Sequence, residues 1–135
     1  MKYSRGFTIL ELLVVIAIIG ILSSVTLAFV SSVRQKSRDA KRVDDMGQIS
    51  KALHLYAIDN AVFPIAVSEI DINGETDALS VALEGAGSIP SVPTDPNAGT
   101  PYTYQSNGAT YTLGFCLETD TIKGYAQGCG NTVTP

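Results

Sequence analysis

Gly6–Phe7–Thr8–Ile9–Leu10–Glu11, continued by Leu12–Leu13–Val14–Val15–Ile16–Ala17–Ile18–Ile19–Gly20–Ile21–Leu22, is the stretch on which the reading of this 135-residue chain turns. From Leu12 to Val33 there are 22 residues and no charge. At about 1.5 Å of rise per residue they make a helix of roughly 33 Å, against a hydrocarbon core of about 30 Å. The segment is long enough to cross a bilayer once. Glu11 sits just inside its N-terminal edge, where an ionisable group is costly and marks a functional position whose partner has to be found.

Lys2 and Arg5 place two positive charges ahead of the apolar run, like the n-region of an export signal. An ordinary secretory signal cut after Thr26–Leu27–Ala28 is the bland alternative, but the run is too long for one and contains Glu11. A short basic leader, a glycine, an aromatic residue and a glutamate five residues into the run, all in register, closely resemble the start of type IV pilin-like precursors. The resemblance implies that a prepilin peptidase cuts between Gly6 and Phe7 on the cytoplasmic side and methylates the new amine of Phe7. It also implies that Glu11 acts in assembly, pairing with the Phe7 amine of an adjacent subunit.

Outward from that stretch, the net charge of −4 conceals an asymmetry. Arg34, Lys36, Arg38, Lys41, Arg42 and Lys51 stand against Asp39, Asp44 and Asp45, whereas beyond Ala52 nine acidic residues face a single lysine, Lys123. A basic collar beside an acidic head suits phospholipid head groups or a neighbouring acidic head, and nucleic acid is not indicated as a partner. The positive-inside count, by itself, puts the collar in the cytoplasm. The cysteines and the resemblance put it outside.

No proline interrupts residues 31–60, and Val43, Met46, Ile49, Leu53 and Tyr56 recur in steps of three and four. Phe7 to Asn60 therefore reads as one helix, membrane-spanning over 7–33 and amphipathic over 34–60, closed by Asn60 as a left-handed cap and by Pro64. The string from Ala52 to Pro64 again resembles pilins and major pseudopilins. In the head, residues 61–135, Asp77–Leu83 reads as a short helix capped by Thr76 or Asp77, and prolines punctuate the loop that follows. Tyr102–Gln105 and Thr110–Cys116 flank Ser106–Asn107–Gly108 as a hairpin, with a third strand near Gly124–Ala126. The fold class is α+β: a long N-terminal helix packed against a small antiparallel sheet, a pilin lollipop.

Cys116 and Cys129 are the only cysteines. In an exported head they form a disulfide; in a reducing compartment they are free thiols or half of a metal site. Asp95, Asn97, Glu118 and Asp120 read as solvated loop groups. Major pseudopilins bind calcium in a C-terminal loop; this sequence lacks an Asp-x-Asp-x-Asp-Gly spacing and a compact ligand set, so no cofactor is expected, with calcium as the one alternative. One histidine and two cysteines assemble no nucleophile and base, so the chain is not read as an enzyme.

The function expected is that of a structural, major-pilin-like subunit of a type IV filament. It waits single-pass in the bacterial cytoplasmic membrane, after a leader of residues 1–6 that is removed, and then joins an extracellular filament. Its partners are copies of itself, the prepilin peptidase and the pilus assembly machinery. The alternatives are a type II secretion pseudopilin acting as a piston and a monomeric membrane-tethered or secreted binding domain.

Overall fold

The computed structural model describes residues 6–97 and 99–135, and at residues 25, 27 and 28 the backbone alone. The expected leader therefore lies, Gly6 excepted, outside the described residues, with Lys2 and Arg5. Helix α1 runs Ile9–Asn60, 52 residues. It starts two residues later than the hydrophobic pattern suggests because Thr8 takes the cap. The chain divides into two compact units, one ending at Arg34 and the other running Gln35–Pro135.

The first unit is helix with an apolar surface. Ile9, Leu10, Leu12, Leu13, Ile16, Ile18, Ile21 and Leu22 are all more than half exposed. Its helix is long and apolar enough to cross a membrane. Ser24 and Thr26 return their hydroxyls to the carbonyls of Ile21 and Leu22, at 2.8 and 2.9 Å, so neither carries an unsatisfied donor into an apolar medium.

The second unit holds the core. Met46, Ile49, Ala52 and Leu53 of α1 are buried, with Val43 and Tyr56 packed beside them. They meet a four-stranded antiparallel sheet in the order β1 (Ala66–Ile72), β2 (Tyr102–Ser106), β3 (Tyr111–Leu117), β4 (Gly128–Val133). The inward faces of β2 and β3 alternate as a half-buried sheet requires: Tyr102, Tyr104 and Ser106, then Tyr111, Leu113, Phe115 and Leu117. Each buried tyrosine hydroxyl in this layer finds a partner. Tyr102 donates to Asp45 Oδ2 at 2.8 Å, Tyr104 to the Pro64 carbonyl at 2.7 Å, and Tyr111 shares a 2.8 Å bond with Ser50. Burial pushes the Tyr104 hydroxyl up to about 12. Helix α2 (Ala78–Gly85) has Asp77 as its cap, accepting from Ser80 N at 2.9 Å, and Leu79 and Leu83 as its buried face.

Four details depart from the sequence reading. The sheet has four strands rather than about three, because Ala66–Ile72 forms an edge strand. The last strand is Gly128–Val133, while Gly124, at φ +95°, belongs to a turn. Asn60 does not take the left-handed cap: Ala61 does, at φ +61°, and Asn60 instead donates its amide to the Tyr56 carbonyl at 3.0 Å. The hairpin loop is four residues, since Ser106 pairs with Tyr111. There Asn107 Oδ1 accepts from the backbone of Ala109 and Thr110, and Gly108 takes φ +91°, a left-handed conformation that strains any residue with a Cβ.

Candidate functional site

Glu11 lies in the first turn of α1. Its carboxylate accepts from Thr8 N at 3.0 Å and from Thr8 Oγ1 at 3.1 Å, while Thr8 Oγ1 accepts in return from Glu11 N at 3.2 Å. This is a reciprocal capping box, satisfying donors that a helix start leaves orphaned. No cationic side chain bonds Glu11 among the described residues; its partners are the Thr8 amide and hydroxyl. Gly6 and Phe7 precede the helix outside any regular element and are exposed, Phe7 at 87%. The bond between them is open to approach from outside. The Thr8-x-x-Glu11 spacing was present in the sequence as a capping signature and was missed there; it is the signal that places the helix start.

A second constellation ties α1 to two loops of the head, the one before β2 and the one after β3. Arg42 is 1% exposed, and its Nε and Nη2 hold both oxygens of Asp95 at 2.7 and 3.0 Å. Its Nη1 donates to Asp39 at 2.8 Å and to Glu118 at 2.9 Å. Glu118 is also gripped by Arg38, through both carboxylate oxygens. Asp39 Oδ1 accepts from Glu118 N, and Asp39 Oδ2 from Thr119 N and Oγ1, at 2.7 to 2.8 Å.

The electrostatics follow from these contacts. Burial alone would raise the Asp39 carboxyl, but the Glu118 and Thr119 donors together with Arg42 outweigh it and lower its pKa. The Arg38 guanidinium, against some desolvation and with help from Arg42, holds Glu118 down to about 2. Asp95 and Glu118 are thus not the solvated loop groups expected from sequence; Asn97 and Asp120 are exposed. Nor are Arg38 and Arg42 available to lipid head groups, since both turn into the head.

Cys116 and Cys129 are bonded, joining register partners on β3 and the edge strand β4. The bond closes the loop that Asp39 anchors at Thr119. Asn131 fastens the other side, accepting from Ala126 N and donating to the carbonyls of Ala126 and Gly128.

This C-terminal loop is where the resemblance implies calcium. The donor set does not fit the ion, which takes six to eight oxygens. Both oxygens of Glu118 and Asp95 face guanidinium N–H groups, both oxygens of Asp39 are bonded to donors, and the Glu118 carbonyl accepts from Gln127. Asp120 is the exposed carboxylate of the loop, and no group of three His, Cys, Asp or Glu side chains among the described residues is arranged for a metal.

Comparison with known proteins gives consistent results. Residues 1–27 match the prokaryotic N-terminal methylation motif. The chain is 32% identical over 133 residues to type II secretion system core protein G of Vibrio cholerae, covering 96% of this chain and 90% of the relative. It is 35% identical over 110 residues to the protein of the same description from Aeromonas hydrophila, covering 79% and 76%. Over 60 residues it is 37% identical to the type IV wide pilus major component PilA4 of Thermus thermophilus, covering 44% and 46%. No solved structure matches.

Proposed function

The chain belongs to the type IV pilin-like family that includes type II secretion system core protein G, and from that membership we propose that it is a structural filament subunit assembled after cleavage between Gly6 and Phe7. The observation that carries this reading is the start of α1: an exposed Gly6–Phe7 junction ahead of the helix, Glu11 in a capping box with Thr8, and then an exposed apolar helical surface. In the membrane that surface faces lipid. In a filament it faces copies of itself.

Hydrolysis of the Gly6–Phe7 amide leaves a carboxylate on Gly6 and an amine on Phe7, and N-methylation keeps that amine basic. Phe7 and Glu11 are about one helical turn apart, so an axially shifted neighbour can present its amine to Glu11, and neither charge then stands alone in an apolar medium. Glu11 sets register in this scheme. The partners are the prepilin peptidase, the assembly machinery and copies of the chain, and the destination is a type IV filament on the cell surface.

A second reading, a pseudopilus subunit confined to the envelope, is favoured by the 90% coverage of the Vibrio cholerae core protein G. Imaging of shed filaments, with mass spectrometry of their main subunit, separates the two destinations. The filament reading itself is tested by N-terminal sequencing of the mature protein and by filament yield for Glu11→Ala and Glu11→Gln. A mature chain starting at methylated Phe7, and variants that accumulate in the membrane without filaments, are expected. A start at Phe29, or normal filaments from both variants at normal subunit levels, would overturn it.

A further inference from the structure

Arg42 is a buried cation with carboxylates from three separated parts of the chain around it: Asp39 on α1, Asp95 in the loop before β2, and Glu118 just after β3. Four of its five N–H groups are used, two of them as a fork on Asp95. The side chains of Arg42, Asp39 and Asp95 are each 0 or 1% exposed, and that of Glu118 is 23% exposed. Without the guanidinium, the buried carboxylates of Asp39 and Asp95 and the half-buried one of Glu118 would lose their shared cation, the Asp95 loop would lose its tie to the helix, and the loop after β3 would keep only its bonds to Arg38 and Asp39.

Holding several carboxylates from different segments together is what a divalent ion does in a small loop-rich domain. Here the carboxylate oxygens of Asp39, Asp95 and Glu118 are already committed to guanidinium, amide and hydroxyl donors. Asp39 is ringed by amide and hydroxyl donors whose positive ends point at it, an arrangement that favours an anion there and opposes a metal ligand. The disulfide closes the same loop covalently from the sheet side.

The geometry points to Arg42 as the fixed cation of the head: its guanidinium, with the Cys116–Cys129 bond, holds the 118–127 loop, and the chain folds and keeps that loop in place without calcium. A lysine cannot substitute for it. One ammonium is a compact point charge, whereas this site uses a planar fork on Asp95 and a further nitrogen shared by Asp39 and Glu118.

The test is thermal unfolding of the full-length protein in detergent, in EGTA and in millimolar calcium chloride, for the wild type, Arg42→Met and Arg42→Lys. A resident calcium ion at a hundredfold its Kd would raise the wild-type Tm by on the order of 10–20 °C. Superimposed wild-type curves are expected. Arg42→Met is expected to melt lower by at least about 10 °C, because a buried ion pair is broken with its partners left in place. Arg42→Lys, which keeps the charge and loses the fork, is the milder variant should Arg42→Met fail to fold, and is expected to fall between. A calcium-dependent rise in the wild-type Tm overturns the proposal. So does an Arg42→Lys protein that melts with the wild type. Either failure leaves the filament reading standing, because that reading is tested at Phe7 and Glu11.

Discussion

Removing the Cys116–Cys129 bond isolates what holds the edge of the sheet. The two residues are 13 apart in sequence and pair across β3 and β4, so the bond closes a short loop whose folded ends are already in register. Chain-entropy arguments assign such a loop about 3 kcal/mol, by restricting the unfolded chain. β4 has little else to replace it, since Asn131 is its one buried side chain and it has a neighbour on one side only. Small domains have about 5–15 kcal/mol in total, so the loss is a large share, and it corresponds to on the order of 12 °C or more in Tm for a unit near 100 residues. The assay is thermal unfolding of Cys116→Ala/Cys129→Ala beside the wild type with and without reductant. Reduced wild type and the double variant should melt together, both well below the oxidised protein. A double variant within about 3 °C of the oxidised wild type would refute the reasoning, since that is less than about 1 kcal/mol for a unit of this size.

Two further outcomes are expected. A chain beginning at Gln35 should be soluble, monomeric and cooperative in melting, because the core and all its side-chain partners lie within Gln35–Pro135; persistent aggregation with the disulfide intact would contradict this. Acid should unfold the head through Asp39 and Glu118. Both carboxyls are depressed in the folded state, Glu118 from 4.5 to about 2, so their stabilisation is fully present above the unfolded pKa and is lost as pH falls through the folded one. Tm measured against pH should therefore hold above pH 4.5 and drop toward pH 2, more shallowly in Glu118→Gln.

What the sequence made legible was whatever is local. The absence of proline and the three-and-four stepping of Met46, Ile49, Leu53 and Tyr56 predicted α1 and its buried face, Asp77 announced α2, and the leader, glycine, aromatic and glutamate announced the family. β1 escaped because a register shift between Ala66 and Ile70 breaks the alternation and Val67 faces outward at 81% exposure. β4 escaped because Gly–Cys–Gly–Asn–Thr–Val has little strand propensity of its own and is held by pairing and the disulfide. The Arg42 constellation unites residues 53 and 76 positions apart, which no spacing rule reaches. One clue was available: Asp39 and Arg42 continue the three-and-four steps of the apolar stripe toward the N-terminus, so charges stand at core positions where they need partners.

The way the second half of α1 is fastened has a mechanical consequence. Near Asp39 and Arg42 the attachment is ionic, in the middle it is Met46, Ile49 and Leu53 with the Ser50–Tyr111 bond, and past the helix end Phe63 N donates to the Gly108 carbonyl at 2.9 Å while Tyr104 grips Pro64. A pull along the helix axis meets these attachments in parallel, as a lap joint meets shear, so none can yield before its neighbours share the load. A pull perpendicular to the axis would peel them one at a time. A subunit built in this way resists tension along its helix far better than force applied across it.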